Sequence, residues 1–280
     1  MTWHFVSDSS CDLFELEGAG AGEGFDFSTV PFTIQIGEHE FVDEREMDID
    51  AMLRENESSA EIARTACPSL QTWLERFSRP GPVLAFTISS ALSGSYNSAL
   101  AAKRLLLETE PDKQIEIIDS RATGPETALL IRLARSLVEK RLAFDEIVKS
   151  LHEAADRTHI IFALKSYHNL IKNGRVSKLK ALVAGHLGFW GIGVGDEAGE
   201  IAMRGKARGE KNMVRFLLNE IKETGLAGKN VVISHCFNEE AARALKQGLQ
   251  ELFAGVSVDI LPTRGLDSFY AERCGLIIGY

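Results

Sequence analysis

Four hydroxyls, Ser89, Ser90, Ser93 and Ser95, stand around Gly94 in the run SSALSGSYNSA, immediately before a helix-prone stretch. The first N–H groups of a helix have no intrahelical acceptor and carry partial positive charge. Hydroxyls gathered there suit an anion such as a carboxylate. One serine would be enough for an N-cap; four beside a glycine exceed that need, so a ligand loop is expected at Ser93, Gly94 and Ser95. The run Arg64-Thr65-Ala66-Cys67-Pro68-Ser69 contains a second helix start, since proline is tolerated in a first turn. Thr65 gains interest only if it faces the Ser93 loop.

Two stretches, NGRVSKLKA and RGKARGEKN, gather Arg175, Lys178, Lys180, Arg204, Lys206, Arg208 and Lys211 in a chain that is acidic overall. A charge run is usually a solvated face. On a strand, however, the alternating Arg204, Lys206 and Arg208 would share one side, which suits a phosphate or a partner protein. Nucleophilic catalysis needs a base beside the serine, and His235, closing NVVISH, is the histidine whose position fits. An enzyme using Ser93 with His235 or Asp119 is therefore the alternative reading, although a strand-end histidine is more often structural. No GxSxG elbow surrounds a serine, the glycines at 18–24 do not complete GxGxxG, and no Walker motif occurs. Nucleotide binding is not supported. Cys11, Cys67, Cys236 and Cys274 form no CxxC pair, so neither a metal site nor a disulfide framework is expected.

These residues need a scaffold, and the apolar runs outline one. Residues 3–6, 82–88 and 115–118 are short β-prone runs, each ending in a serine-bearing polar loop, SDSSCDL, SSALSGS and DSRATG, the first and third with Asp. Helical patterns follow from Tyr96 and over 126–140, and two more are expected at 49–56 and after Pro68. Strand, polar loop and helix in alternation are the pattern of an open α/β sheet, which binds ligands at the carboxyl ends of its strands. Beyond the helix at 144–157 the pattern changes. An extended run at 159–164 precedes short helices bracketing NGRVSKLKA, and β-prone segments follow near 189–194 and 200–206. Helices at 210–224 and 239–253 then alternate with strands at 230–234, 256–261 and 275–280. The expectation is an α/β protein with an N-terminal three-layer α/β/α parallel sheet over residues 1–157 and a two-layer α+β domain over 158–280.

The chain has 280 residues, 45% of them hydrophobic, enough for two domains that share a core. Its formal charge of −9 disfavours a nucleic-acid partner, because no basic excess replaces condensed counterions. The polar Ser7-Asp8-Ser9-Ser10 follows the first apolar residues at once, so no signal peptide is read. No apolar run approaches the roughly 18–20 residues of a membrane helix. A cytoplasmic protein is expected.

Taken in order and spacing, SDSSCDL, LSGSYNSA, IIDSRATG, LIKNGRVSKLKALVAG and KARGEKN resemble the DegV family over nearly the whole chain. LSGSYNSA is close to that family's LSGTYxSA, and NGRVSKLKAL to its GGRISKxKAL. The resemblance implies a two-domain, non-catalytic lipid-binding protein. One long-chain fatty acid would lie in an apolar tunnel at the domain junction, its carboxylate presented to a separate fatty acid kinase subunit, with no cofactor and no metal. Carried over by position, it implies carboxylate contacts at Thr65 and Ser93, and contact of Arg204 and Arg208 with the acyl phosphate or the kinase. Ala66-Cys67 stands where the family has Ser-Gln, and Thr263-Arg264-Gly265-Leu266-Asp267-Ser268 where it has GTHxGPG. Arg264 is thereby expected to replace the histidine of the carboxylate region.

Overall fold

The computed structural model describes residues 2–20, 24–176 and 188–280. The first part of the chain forms strands β1 (Trp3–Asp8), β2 (Phe25–Val30), β3 (Thr33–Ile36), β4 (His39–Val42), β5 (Arg64–Ala66), β6 (Val83–Thr87) and β7 (Ile115–Asp119). Its helices are α1 (Ile49–Ser58), α2 (Leu70–Phe77), α3 (Ser95–Thr109), α4 (Gly124–Glu139) and α5 (Phe144–Ala155). The second part adds β8 (Ile160–Leu164), α6 (His168–Lys172), β9 (Phe189–Gly195), β10 (Ile201–Arg208) and α7 (Glu210–Thr224). It ends with β11 (Asn230–His235), α8 (Glu239–Leu252), β12 (Ser257–Pro262), α9 (Gly265–Ala271) and β13 (Leu276–Gly279).

Strands β2-β1-β6-β7 make a parallel sheet, and every residue of β6 is buried because helices cover both faces. On one face Trp73 and Phe77 of α2 and Ala99 and Leu106 of α3 pack on Val6, Val83 and Ala85. On the other, Leu130 and Ile131 of α4 and Ile147 and Leu151 of α5 pack on Phe5, Leu84 and Phe86. This is the expected three-layer arrangement. Asp48 and Ser69 cap α1 and α2 by accepting from Ala51 N and Thr72 N, which satisfies one orphan donor in each first turn.

A mixed sheet, β10-β9-β8-β13-β11-β12, is built entirely from residues after 159. Side chains alternate across it: Ile161, Ala163, Leu276 and Ile278 meet α7 and α8, whereas Ile160, Phe162, Leu164 and Ile277 point the other way. Helix α4 also touches β11 and β13, so the two sheets share this helix as a common layer.

Strand β2, the ribbon β4-β3-β5 and helix α9 lie outside the elements read from the sequence. Helix α9 has only seven residues and takes no cap from its own N-cap residue Arg264; burial of Leu266 and Phe269 and the distant Asp43 carboxylate stabilise it, and tertiary contacts of that kind leave no local pattern. Lys178, Lys180 and the second of the short helices around NGRVSKLKA fall outside the described residues. Among the described residues, no helix is long and apolar enough to cross a membrane and no cluster of side chains suits a metal ion.

Candidate ligand-binding site

Between the inner face of the mixed sheet and the strand ends of the parallel sheet lies a cavity of about 800 Å³, its mouth included. Ile160, Phe162 and Leu164 of β8 line it because they occupy alternate positions on one strand, and Ile277 of the neighbouring β13 joins them. Phe32, Ile88 and Leu92 close it from the first part of the chain. At one end the wall turns polar. The Tyr270 hydroxyl of α9 lies 2.8 Å from Thr65 Oγ1 of β5, and both face the cavity. Asn169 Nδ2 donates to Phe269 O at 2.7 Å, tying α9 to α6, and Arg175 follows α6 into the same wall. Cys67 lies against Gly94, which sets Thr65 beside the Ser93 loop as the cavity reading requires.

The four hydroxyls of that loop serve different ends. Ser93 lines the cavity; its Oγ accepts from Ser95 N at 3.2 Å and, among the described residues, donates to nothing, so its O–H is available to a ligand. Ser95 does not reach the cavity, in contrast to its expected place in the carboxylate loop. As the first residue of α3 it is buried and donates to Asp8 Oδ2 at 2.6 Å. Ser89 donates to Gly199 O at 2.8 Å, pinning the β9–β10 turn, and Ser90 is exposed. Gly94 is the N-cap of α3 and lies outside the lining.

Arg264 also departs from expectation. Its side chain is 1% exposed and its guanidinium donates to Leu13 O at 2.7 Å, Asp43 O at 2.6 Å and Thr29 Oγ1 at 3.3 Å, while Phe14 stacks 4.4 Å away. Both Nη groups are spent on the seam between the two parts of the chain, Nε faces the Asp43 carboxylate, and Arg264 is not part of the cavity wall. Its ion pair, at 3.5 Å, is with Asp43. From the same segment it is Tyr270 that reaches the polar end. Burial raises the pKa of its phenol, so it stays a neutral donor.

Arg204 and Arg208 are exposed on the edge strand β10, away from the cavity. A bulge at Arg204 breaks the alternation. Arg204 turns to Glu220 of α7, at 3.8 Å, while Lys206 and Arg208 lie over the Phe189 ring. The three cations do not form a single file.

No Ser93 dyad is assembled among the described residues. His235 Nδ1 accepts from Asn238 N at 3.2 Å, burial lowers its pKa, and it lies outside the cavity lining. Asp119 Oδ1 accepts from Ser90 N and Arg121 N.

The DegV family model, described as an uncharacterised protein of that family, matches residues 2–271. The chain belongs to the DegV family. A DegV domain-containing protein of Streptococcus pneumoniae is 38% identical over 280 residues, covering all of this chain and 99% of its own length. The solved Streptococcus pneumoniae fatty acid kinase B3 protein, loaded with linoleic acid, superposes with a TM-score of 0.96 at 38% identity, over 100% of this chain and 99% of that one. A DegV family protein from Eubacterium eligens loaded with heptadecanoic acid gives 0.93 at 34% identity, over 99% and 98%.

Arg175 belongs to the cavity wall although its charge run resembles a solvated face, and Tyr270 belongs to it as well. Nothing in its local sequence marks Tyr270. Its meaning comes from a contact 205 residues away in the chain.

Proposed function

We propose that this DegV protein holds one long-chain fatty acid in the cavity between its two sheets and presents the carboxylate to a separate kinase subunit, which forms the acyl phosphate. The observation that carries this reading is a mostly apolar cavity in whose wall Thr65, Ser93, Arg175 and Tyr270 come together, with Arg121, Thr123, Glu200 and Asp267 as its other polar residues. Apolar walls fit an acyl chain, since each CH₂ taken from water contributes about 0.8 kcal/mol. Hydroxyls and one guanidinium give directed donors to a charged head. The fatty-acid cargo of structural relatives at 34% identity and above points the same way.

In this reading residues 1–157 supply the carboxylate loop and residues 158–280 close over the chain. Arg204 and Arg208, exposed on β10, meet the kinase or the transferred phosphate. The protein contributes binding and presentation and uses no cofactor, and Ser93 is a donor to the ligand, never a nucleophile. The setting is the cytoplasm, where a kinase finds its nucleotide.

Organic extraction of the purified protein followed by mass spectrometry tests the cargo, with a near-stoichiometric long-chain fatty acid expected. A protein that carries no acyl chain, and takes none up when linoleic acid is offered, overturns the reading.

A further inference from the structure

Beside the polar end of the cavity two buried carboxyl groups face one another across the seam. Asp12, after β1, belongs to the first part of the chain, and Asp267 of α9 to the second. Asp267 Oδ1 accepts from Thr123 Oγ1 at 2.7 Å, and Asp12 Oδ1 accepts from Arg264 N at 2.7 Å. Their remaining oxygens converge: a Cβ placed on Gly124 would stand 2.4 Å from Asp267 Oδ2 and 2.7 Å from Asp12 Oδ2. Gly124 has φ +50°, and this crowding leaves room there for glycine alone. Among the described residues neither Oδ2 has a hydrogen-bond donor, and the two oxygens face the same small space beside Gly124. Two carboxylates placed so close repel, and a proton held between them removes the repulsion.

We propose that Asp12 and Asp267 share one proton across this seam, and that losing it loosens α9 and weakens the hold on the acyl ligand. The inference rests on the acyl reading of the cavity. Its connection to the ligand is short: Asp267 and Tyr270 sit three residues apart on α9, hence on one face, and both line the cavity. Asp43, on the loop after β4, accepts from Gly265 N and Leu266 N and so grips the start of the same helix.

The surroundings favour keeping the proton. Burial raises both carboxyl pKa values, and Asp43 adds a like charge to each. Arg264 partly offsets this at Asp12, but its Nη groups donate to Leu13, Thr29 and Asp43. From β11 the Ser234 hydroxyl lies beside Asp12, and α4 brings no cation to the pair, only Gly124 and, two residues on, the buried Glu126. Cys11, the neighbour of Asp12, has its thiol pushed up to about 12 and stays neutral. An ionised pair would place a second negative charge between α9 and the loop after β1 with no compensating donor.

The test is the affinity of the whole protein for linoleic acid from roughly pH 6 to pH 9, parent against Asp267→Asn, since one linked proton changes affinity by up to about tenfold per pH unit. An asparagine keeps the pair's hydrogen bonds, accepting from Thr123 and donating to Asp12, without a titrating proton. The expected result is a parent affinity that falls toward alkaline pH while the variant's changes little and is the tighter of the two at the alkaline end. Glu126 also has a raised pKa, so the difference between the two proteins is the readout. Equal slopes, or a flat parent, overturn the proposal. If Asp267→Asn does not fold, Asp12→Asn makes the same comparison. Should linoleic acid bind neither protein at any pH, the acyl reading fails, and ligand-free melting judges the proton by itself. A parent melting point that falls with rising pH more steeply than the variant's supports the shared proton, and parallel curves overturn it.

Discussion

The hydroxyl of Tyr270 lies 2.8 Å from that of Thr65, joining residues from the two parts of the chain at the polar end of the cavity. Only one of the two protons satisfies that contact, so the other is free to be directed at a carboxylate. Tyr270→Phe retains the ring, which packs edge-on against Phe269 at 4.9 Å. Affinity for a fatty acid is expected to fall by about 1–2 kcal/mol with little change in melting temperature. Unchanged affinity would make Tyr270 an anchor for Thr65 and no more.

Ser93→Ala removes a hydroxyl whose donor is uncommitted, and the serine Oγ accepts only one backbone N–H at 3.2 Å. Binding should weaken by about 1.5–3 kcal/mol, the usual worth of a bond to a charged group. Isothermal titration with linoleic acid, beside a thermal melt, separates loss of ligand from loss of fold.

Arg175 lines the cavity and its Nη1 donates to Asn173 O at 2.8 Å, whereas the other lining cation, Arg121, is paired with Asp156. Arg175→Gln should lower affinity for a fatty acid while leaving that for the matching fatty alcohol nearly unchanged, because only the acid carries a charge to lose. An equal loss for both ligands would assign the residue to packing.

Arg264→Ala strands Leu13 O, the Asp43 carbonyl and the Asp43 carboxylate in a buried seam. Breaking a buried ion pair from one side costs about 3–5 kcal/mol. Chemical denaturation should show a loss of that size, whereas a ligand role for Arg264 would leave stability intact.

Glu126 is 3% exposed, with Thr158 Oγ1 at 2.7 Å, and burial pushes its carboxyl from 4.5 up to about 7. The folded protein therefore holds a proton that the unfolded chain has released between these values. Its contribution to stability declines as pH rises through this window and levels off above it. Glu126→Gln removes the penalty, and a stabilisation of up to about 3 kcal/mol is expected near pH 8, vanishing near pH 4. Urea melts at the two pH values check the sign.

The short apolar runs at 160–164 and 83–86 were legible as buried strands because a run of that length bounded by polar residues is a local signal. Thr65 and Ser93 were legible as hydroxyls near helix starts, and the motif set was enough to indicate the family. The parts that were missed depend on distance in space. Strand β2 follows a glycine-rich turn and has only its two end residues buried, which leaves a weak pattern. Ser89, Ser93 and Ser95 are alike in sequence, yet one pins a turn, one faces the cavity and one bonds Asp8, because a loop entering a helix turns successive side chains in different directions. Arg264 stands where a ligand cation is expected; whether a guanidinium is spent depends on the carbonyls folded around it, and these come from residues 13 and 43. The sequence alone therefore determined the main strands and helices of the two sheets, the family and the chemistry of an anion loop. Tertiary structure decided which hydroxyls and which cation meet the cavity, since each choice rests on partners up to about 250 positions away.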